Sequence, residues 1–192
     1  KWEFLLKRYQ ELDIDYLQKE IHQLLNGIDE GSKRTADIVR SLRVFSRMDR
    51  DVLVLADVNE CISSTLMVMK NITSKEATVI TELETHLPRI MCFPGKLNQV
   101  LMNLISNAVH ATKMDNRGIG DRLVTVKTSA HEKKIQIVVK DNGSGMKDEV
   151  RKKIFDPFFT TKQVGEGTGL GLSIVLGIVH EHGGEINVES EW

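Results

Sequence analysis

The hydrophobic pattern divides the chain into one long helix and a following region of short strands and helices. Between Ile14 and Met48, apolar residues recur three or four positions apart, which is the spacing of one face of a helix. Such a heptad seam predicts packing against another helix, in a bundle or coiled coil, and a surface helix packing on its own domain is the alternative. The seam residues are Ile21, Leu24, Ile28, Gly31, Thr35, Ile38, Leu42 and Phe45.

The region after this helix alternates between two hydrophobic periods. Helical spacing occurs at 58–72, from 94 to about 111, and at 170–180. Alternation of apolar and polar residues, or a short apolar run, predicts strands at 77–81, 90–93, 123–130, 133–140 and 185–190. Gly118 to Gly120 is predicted as a loop, and Gly183-Gly184 as the end of the last helix. Strands and helices together predict an α+β fold.

Composition and charge exclude several classes of protein. The chain has 192 residues, of which 41% are hydrophobic and 28% charged, as in a soluble protein with one domain and an appendage. A net charge of −1 argues against nucleic-acid binding. Cys61 and Cys92 lie in apolar patterns, which fits a reducing compartment. No stretch is apolar enough to cross a bilayer and no signal peptide is visible, so we expect a cytoplasmic chain without membrane contact.

A short glycine-rich loop, residues 141–146, follows the strand predicted at 133–140. It reads Asp-Asn-Gly-Ser-Gly-Met. The carboxylate of Asp141 is a hydrogen-bond acceptor for the exocyclic amine of a base such as adenine, and glycines beside it let a flat ring approach the backbone. Because Asn-Gly pairs are more often simple turns, this loop becomes a candidate site only together with its neighbours.

A second glycine cluster, residues 165–171, leads directly into the last helix. Glycines allow backbone N–H groups to turn towards a polyphosphate, and the helix adds its positive N-terminal end. Leu172 stands where a dinucleotide-binding fingerprint needs its third glycine, and no glycine is followed by Lys-Ser/Thr as in a P-loop. Between the two glycine loops, residues 155–162 would begin a movable cover, docked by Phe158 and Phe159 as core residues.

Two asparagines lie one turn apart in the helix predicted to begin at Pro94. Asn103 and Asn107 therefore share a face. Such residues often cap or bridge neighbouring helices, which is the alternative. An amide oxygen is also a ligand for a Mg²⁺ ion that takes its other oxygens from phosphates and water. The helix and the two glycine loops together predict a nucleotide pocket.

These four segments, in this order, resemble the N, first glycine, F and second glycine boxes of the ATP-binding domain of sensor histidine kinases. The resemblance covers about the last half of the chain. The fold that it implies is a two-layer α/β sandwich of the Bergerat type, with a mixed sheet under helices, which histidine kinases share with gyrase B, Hsp90 and MutL. The cofactors that it implies are ATP and Mg²⁺.

The resemblance also implies which residues bind the nucleotide. Asp141 would select adenine, Asn107 would hold Mg²⁺, and Lys162 would reach a phosphate as a point charge. His110 stands where many relatives place a lysine or another polar group. The implied ATP-binding set is Asn103, Asn107, His110, Ala111, Asp141, Gly143, Gly145, Met146, Lys162, Gly167, Thr168, Gly169, Leu170, Gly171 and Leu172.

The end of the long helix, residues 34–47, resembles the second helix of the dimerisation and phosphotransfer hairpin in a nitrogen-sensor-like subgroup of these kinases. In that family the first helix carries the phosphoacceptor histidine, followed by an acidic residue and, a few positions on, by Asn-Pro. Of the six histidines, His22 is followed by Gln23 and the others lie in the second domain. We expect residues 1–50 to be a partial helical region without the acceptor helix, and residues 51–192 to be the ATP-binding domain without its last strand.

The resemblance implies a catalytic part of a two-component sensor histidine kinase. It would pass the γ-phosphoryl group of ATP to a histidine, and thence to an aspartate on a response-regulator receiver domain, and it would dimerise through the helical region. We expect ATP binding without autophosphorylation of this chain. An ATPase of the gyrase or Hsp90 kind is disfavoured because the turn that would carry its water-activating carboxylate offers Gln99 and Asn103. A binding module with a degenerate pocket is the second alternative.

Overall fold

The computed structural model describes residues 2, 14–47, 52–113, 118–132, 134–163 and 167–192. The elements, in chain order, are α1 (Ile14–Arg47), β1 (Val54–Ala56), α2 (Val58–Thr73), β2 (Thr78–Glu82), β3 (Ile90–Cys92), α3 (Pro94–Lys113), a 3-10 helix (Ile119–Asp121), β4 (Leu123–His131), β5 (Lys134–Asp141), α4 (Asp148–Arg151) and α5 (Gly171–Glu181). None of the described helices has both the length and the apolar character that spanning a membrane requires.

The described residues form two compact units. The first contains α1 and the described part of Thr161–Gly167, and the second contains the described residues of Met48–Thr160 and Thr168–Trp192. In the first unit, α1 confirms the long helix predicted from the heptad pattern. Its seam residues Ile21, Leu24 and Ile28 are 52%, 64% and 65% exposed, so this stretch of the seam is open to solvent.

The second unit contains the predicted mixed sheet, which is formed by three of the described strands. β2 pairs with β4 in parallel and β4 pairs with β5 antiparallel, in the register Val124↔Asp141 to His131↔Lys134. The hairpin between β4 and β5 turns at Glu132, whose φ of 52° is the left-handed conformation that such tight turns require. A separate antiparallel pair joins β1 to β3.

Helices α2 and α3 cover one face of this sheet. Ile62 of α2, Leu101 and Ile105 of α3, and Val124 and Val126 of β4 are fully buried in a common core. Each such side chain contributes about 1.5–3 kcal/mol relative to exposure. This packing of helices on a mixed sheet is the predicted two-layer α/β sandwich, and the fold-class prediction is confirmed.

Two helix starts follow from local chemistry. The side chain of Asp57 caps α2 by accepting hydrogen bonds from the backbone N–H groups of Asn59, at 2.8 Å, and Glu60, at 3.3 Å. Helix α3 begins at Pro94, where the missing N–H has no intrahelical partner to lose. These caps fix where the two helices that cover the sheet begin.

Two local predictions were wrong. The predicted loop at Gly118 to Gly120 contains the start of the 3-10 helix. Residues 185–190 alternate between exposed and half-buried side chains, as a strand does, yet they join no ladder with the described strands. An alternating pattern predicts which side chains are buried, and strand pairing additionally needs backbone partners in register. Here Ser190 contacts the loop after β5 instead.

Candidate nucleotide-binding site

Helix α3 is the central element of the site because its faces make different contacts. One face is buried on the sheet, and it includes Leu101, Ile105 and Val109. A second face carries Val100, which packs in a smaller apolar cluster with Val175 of α5. The helix is therefore fixed both to the sheet below it and to α5 beside it.

The remaining face of α3 is polar and half-exposed. It carries Asn103, Asn107 and His110, which are four and three residues apart and so project in similar directions. From Asn103 to Ala111 the helix rises about 12 Å, at roughly 1.5 Å per residue. The two glycine-rich segments contact α3 at these two ends.

At the Ala111 end, the loop after β5 touches the backbone of α3. A Cβ placed on Gly143 would lie 2.5 Å from the carbonyl carbon and oxygen of Ala111, so a larger residue cannot occupy this position without movement. The Oδ1 of Asp141 accepts a hydrogen bond from the Gly143 N–H at 2.9 Å. Asn142 anchors the loop by accepting from the Leu123 N–H, also at 2.9 Å. The Asp141 carboxylate is thus held at the end of β5.

The same loop is fixed on its other side by the C-terminal segment. The Met146 N–H donates to Ser190 Oγ at 2.8 Å. Gly145 has a φ of +69°, and a Cβ there would overlap the carbonyl oxygen of Glu191. Ser190 was not predicted as a site residue, because a contact between positions 44 residues apart leaves no local pattern in the sequence.

At the Asn103 end, the second glycine cluster brings the N-terminus of α5 against α3. A Cβ placed on Gly171 would lie 3.2 Å from Asn103 Oδ1. The Thr168 hydroxyl accepts a long hydrogen bond, 3.4 Å, from the Leu170 N–H. The first turn of α5 contains no acidic residue. The backbone N–H groups of such a helix start are donors for an anion.

Phe158, in the segment predicted to begin the cover, makes a close backbone contact with Gly169. A Cβ placed on Gly169 would lie 2.3 Å from the carbonyl carbon of Phe158, and both residues are left-handed, with φ of 68° and 67°. The expectation that Phe158 is a core residue was wrong, because its side chain is 74% exposed, whereas Phe159 is half-buried. Nothing in the sequence signals a left-handed phenylalanine.

The predicted site residues do not all fall in one unit. Those on α3, on the Asp141 loop and from Thr168 to Leu172 belong to the second unit, whereas Lys162 and Gly167 belong to the first. The Lys162 side chain is half-buried. Gly165, the first glycine of the cluster, lies outside the described residues.

The chemistry of the second unit is that of a nucleotide pocket. A carboxylate and a glycine-lined loop lie at one end of the polar face of α3, and a helix N-terminus beside an amide lies at the other. These features define a nucleotide-binding α/β sandwich. Residues 94–192 match the family described as histidine kinase-, DNA gyrase B-, and HSP90-like ATPase. The chain belongs to this family, and the prediction of an ATP-binding domain is confirmed.

Relatives of the chain are sensor histidine kinases. It is 34% identical over 173 residues to the sensor histidine kinase ZraS of Escherichia coli (strain K12), an alignment that covers 90% of this chain and 36% of ZraS. The chain thus spans little more than a third of that relative. Together with the family match, this confirms the resemblance to the catalytic domain of sensor histidine kinases.

Solved structures have the same fold. The catalytic domain of histidine kinase ThkA superposes with a TM-score of 0.59 at 29% identity, covering 68% of this chain and 81% of that one. A structure of ThkA in complex with the response regulator protein TrrA gives a TM-score of 0.58 at 21% identity, covering 81% of this chain and 46% of that one. At that identity the second likeness bears on the fold alone.

Proposed function

We propose that this chain is the catalytic part of a sensor histidine kinase, which binds Mg·ATP and transfers its γ-phosphoryl group to a histidine. From there the group would pass to an aspartate of a response-regulator receiver domain. The main support is that one helix, α3, contacts the Asp141 loop at Ala111 and the start of α5 at Asn103. A nucleotide lying along its polar face would meet both ends.

The adenine end would be formed by the loop after β5. Asp141 would accept a hydrogen bond from the exocyclic amine of adenine, and this hydrogen bond would distinguish adenine from guanine. Gly143 and Gly145 would let the base approach the backbone, and Met146 would supply an adaptable apolar contact. This proposal is supported by the position of Asp141 at the end of β5, where its carboxylate is held by the Gly143 N–H.

The phosphate end would be formed by α3 and α5. Backbone N–H groups from Thr168 to Leu172 would donate to phosphate oxygens, while Asn107, helped by Asn103, would offer an amide oxygen to Mg²⁺. Among the described residues no three His, Cys, Asp or Glu side chains cluster as a metal site. A Mg²⁺ ion here would therefore be one that arrives with the phosphates.

Such a phosphoryl transfer requires positioning and charge neutralisation more than covalent chemistry. Mg²⁺, when bound, would neutralise the developing charge on the phosphates. Hydrolysis would need a group that activates water, and α3 contains neither Asp nor Glu. This absence from α3 favours transfer to a protein histidine over an ATPase cycle of the gyrase or Hsp90 kind.

Calorimetric titration with ATP, with and without Mg²⁺, tests the assignment. We expect Asp141→Asn to weaken ATP binding under both conditions, whereas Asn107→Ala should remove the Mg²⁺ dependence alone. Matched controls are Asp156→Asn, an exposed carboxylate, and Ser106→Ala, an exposed neighbour on α3. If wild-type chain does not bind ATP, or if both site variants bind as the controls do, the proposal is wrong.

We further propose that residues 1–50 belong to the helical dimerisation region and 51–192 to the catalytic domain, in a cytoplasmic part of the kinase. The exposed apolar seam on α1 supports pairing with a second copy. Incubation with γ-labelled ATP should leave this chain unlabelled, because His22 lacks the acceptor pattern and the other five histidines lie in the second domain. Label on any of the six histidines would contradict this. Sedimentation of wild type and Leu24→Asp would test pairing through the seam.

A further inference from the structure

The imidazole of His182 joins the end of α5 to the start of α3. The backbone N–H of Phe93 donates to His182 Nε2 at 3.1 Å, and His182 Nδ1 lies 2.8 Å from the carbonyl oxygen of Ile178. Because a backbone N–H can only donate, Nε2 is the acceptor, and the neutral ring carries its proton on Nδ1. That tautomer satisfies both contacts at once.

The surroundings of the ring reinforce this junction. The rings of Phe93 and His182 pack edge to face, with centroids 5.4 Å apart and planes at 78°. The ammonium of Lys96 lies 4.8 Å from the centre of the Phe93 ring and 2.6 Å from the Glu181 carboxylate. Two side chains from the α3 end thus meet two from the α5 end.

The backbone at His182 ends α5 in a defined geometry. His182 is the C-cap of α5, and the following Gly183 has a φ of +66°. The N–H of Gly183 donates to the His180 carbonyl and that of Gly184 to the Val179 carbonyl, both at 2.9 Å. This pair of bonds is a Schellman motif, which ends a helix in one defined geometry. The motif fixes the backbone of His182 at the end of α5, and the contact between Nδ1 and the Ile178 carbonyl holds the ring against that helix.

The opposite end of the same helix is the proposed phosphate-binding end. Helix α5 has 11 residues and so is about 16 Å long at roughly 1.5 Å per residue. Val175, near its middle, is fully buried against α3. A short rigid helix held at its middle and at its C-terminus has a defined N-terminus, and here that N-terminus lies against Asn103.

We infer that His182 is a positioning residue that sets the phosphate-binding start of α5 against α3 through its hydrogen bond with the Phe93 N–H. The inference rests on the proposed function. His182 would not touch the nucleotide. Its loss should weaken contacts with the phosphates while leaving adenine recognition intact, since the Asp141 loop is held by other contacts, to Ala111 and Ser190.

The test compares affinities for adenosine and ATP in three variants of the full chain. Adenosine is followed by chemical-shift titration and Mg·ATP by calorimetry. For His182→Ala we expect ATP to bind about tenfold more weakly, equivalent to about 1.4 kcal/mol, with adenosine affinity unchanged. His182→Gln should recover part of the loss, because its amide oxygen is an acceptor for the Phe93 N–H. His180→Ala, an exposed histidine on the same helix, is the matched control.

The outcomes separate the inference from the function on which it rests. Unchanged affinities for adenosine and for ATP in both His182 variants overturn the inference while leaving the proposed function in place. A parallel loss of both affinities also overturns it, since a merely structural role would act in that way. If wild-type chain binds no ATP, the proposed function fails and the inference fails with it. Should His182→Ala not fold, the Gln variant alone decides.

Discussion

Replacing Gly143 by alanine should disturb the adenine end of the site by a purely steric route. The added Cβ would lie 2.5 Å from the carbonyl atoms of Ala111 and 2.9 Å from its Cβ. Carbon atoms pack best at about 3.5–4.0 Å, so the loop and α3 must separate by roughly 1 Å. Overpacking of this kind costs about 1–3 kcal/mol. Because the Gly143 N–H holds the Asp141 carboxylate, the loop would carry that side chain with it.

The cost should appear in two measurements. The free energy of unfolding in urea should fall by up to about 3 kcal/mol. Calorimetry should show that adenosine and ATP both bind more weakly, by about 5- to 150-fold if the full strain falls on the complex. Gly120→Ala is the matched control, because a Cβ at that glycine meets no atom within 4 Å. If Gly143→Ala matches the control in both stability and affinity, the close approach of the loop to α3 is refuted.

Four further outcomes are expected. Asp57→Ala removes the cap of α2 and should lower the free energy of unfolding in urea by about 1 kcal/mol, whereas Gly177→Ala, at an open helical position, should raise it by about 0.5–1 kcal/mol. Burial raises the pKa of Cys61 from 9.0 to about 11, and also raises the pKa of Cys92. Both thiols should therefore react with a disulfide reagent at pH 8 only after unfolding. The folded state keeps the Cys61 proton to a higher pH than the unfolded state does. The stabilisation that results should be full below pH 9 and lost towards pH 11, so the free energy of unfolding should fall over this range. The fall should be smaller in Cys61→Ala.

Most of the fold could be predicted because burial imposes a local period on the sequence. Helix α3 shows this best, since its buried residues recur at helical spacing and Pro94 marks its start. The hairpin of β4 and β5 follows from the alternation of apolar and polar residues in both strands. Because β5 ends at Asp141, the hairpin also places this residue where the strand leaves the sheet. These features depend on neighbours in sequence, and so the sequence pattern contains them.

The parts that could not be predicted depend on residues far apart in the chain. The contact between Phe93 and His182 joins positions 89 residues apart, and the contact between Met146 and Ser190 joins positions 44 apart. The left-handed backbone of Phe158 likewise follows from its meeting with Gly169. The local hydrophobic period of a sequence does not indicate such pairs. The pattern at 185–190 predicted the alternating burial correctly and still gave a strand that does not form.

The proposed site has two ends that depend on different parts of the fold. The adenine end is attached to the main core, because the loop carrying Asp141 follows directly from β5 and rests on Ala111. The phosphate end depends on where α5 lies, and that helix reaches α3 through a smaller apolar cluster and the His182 junction. A change at Gly143 should therefore weaken the binding of every ligand that contains the base. A change at His182 should weaken the binding only of ligands that contain phosphates. Because both ends meet on α3, a shift of that helix itself would affect the two together.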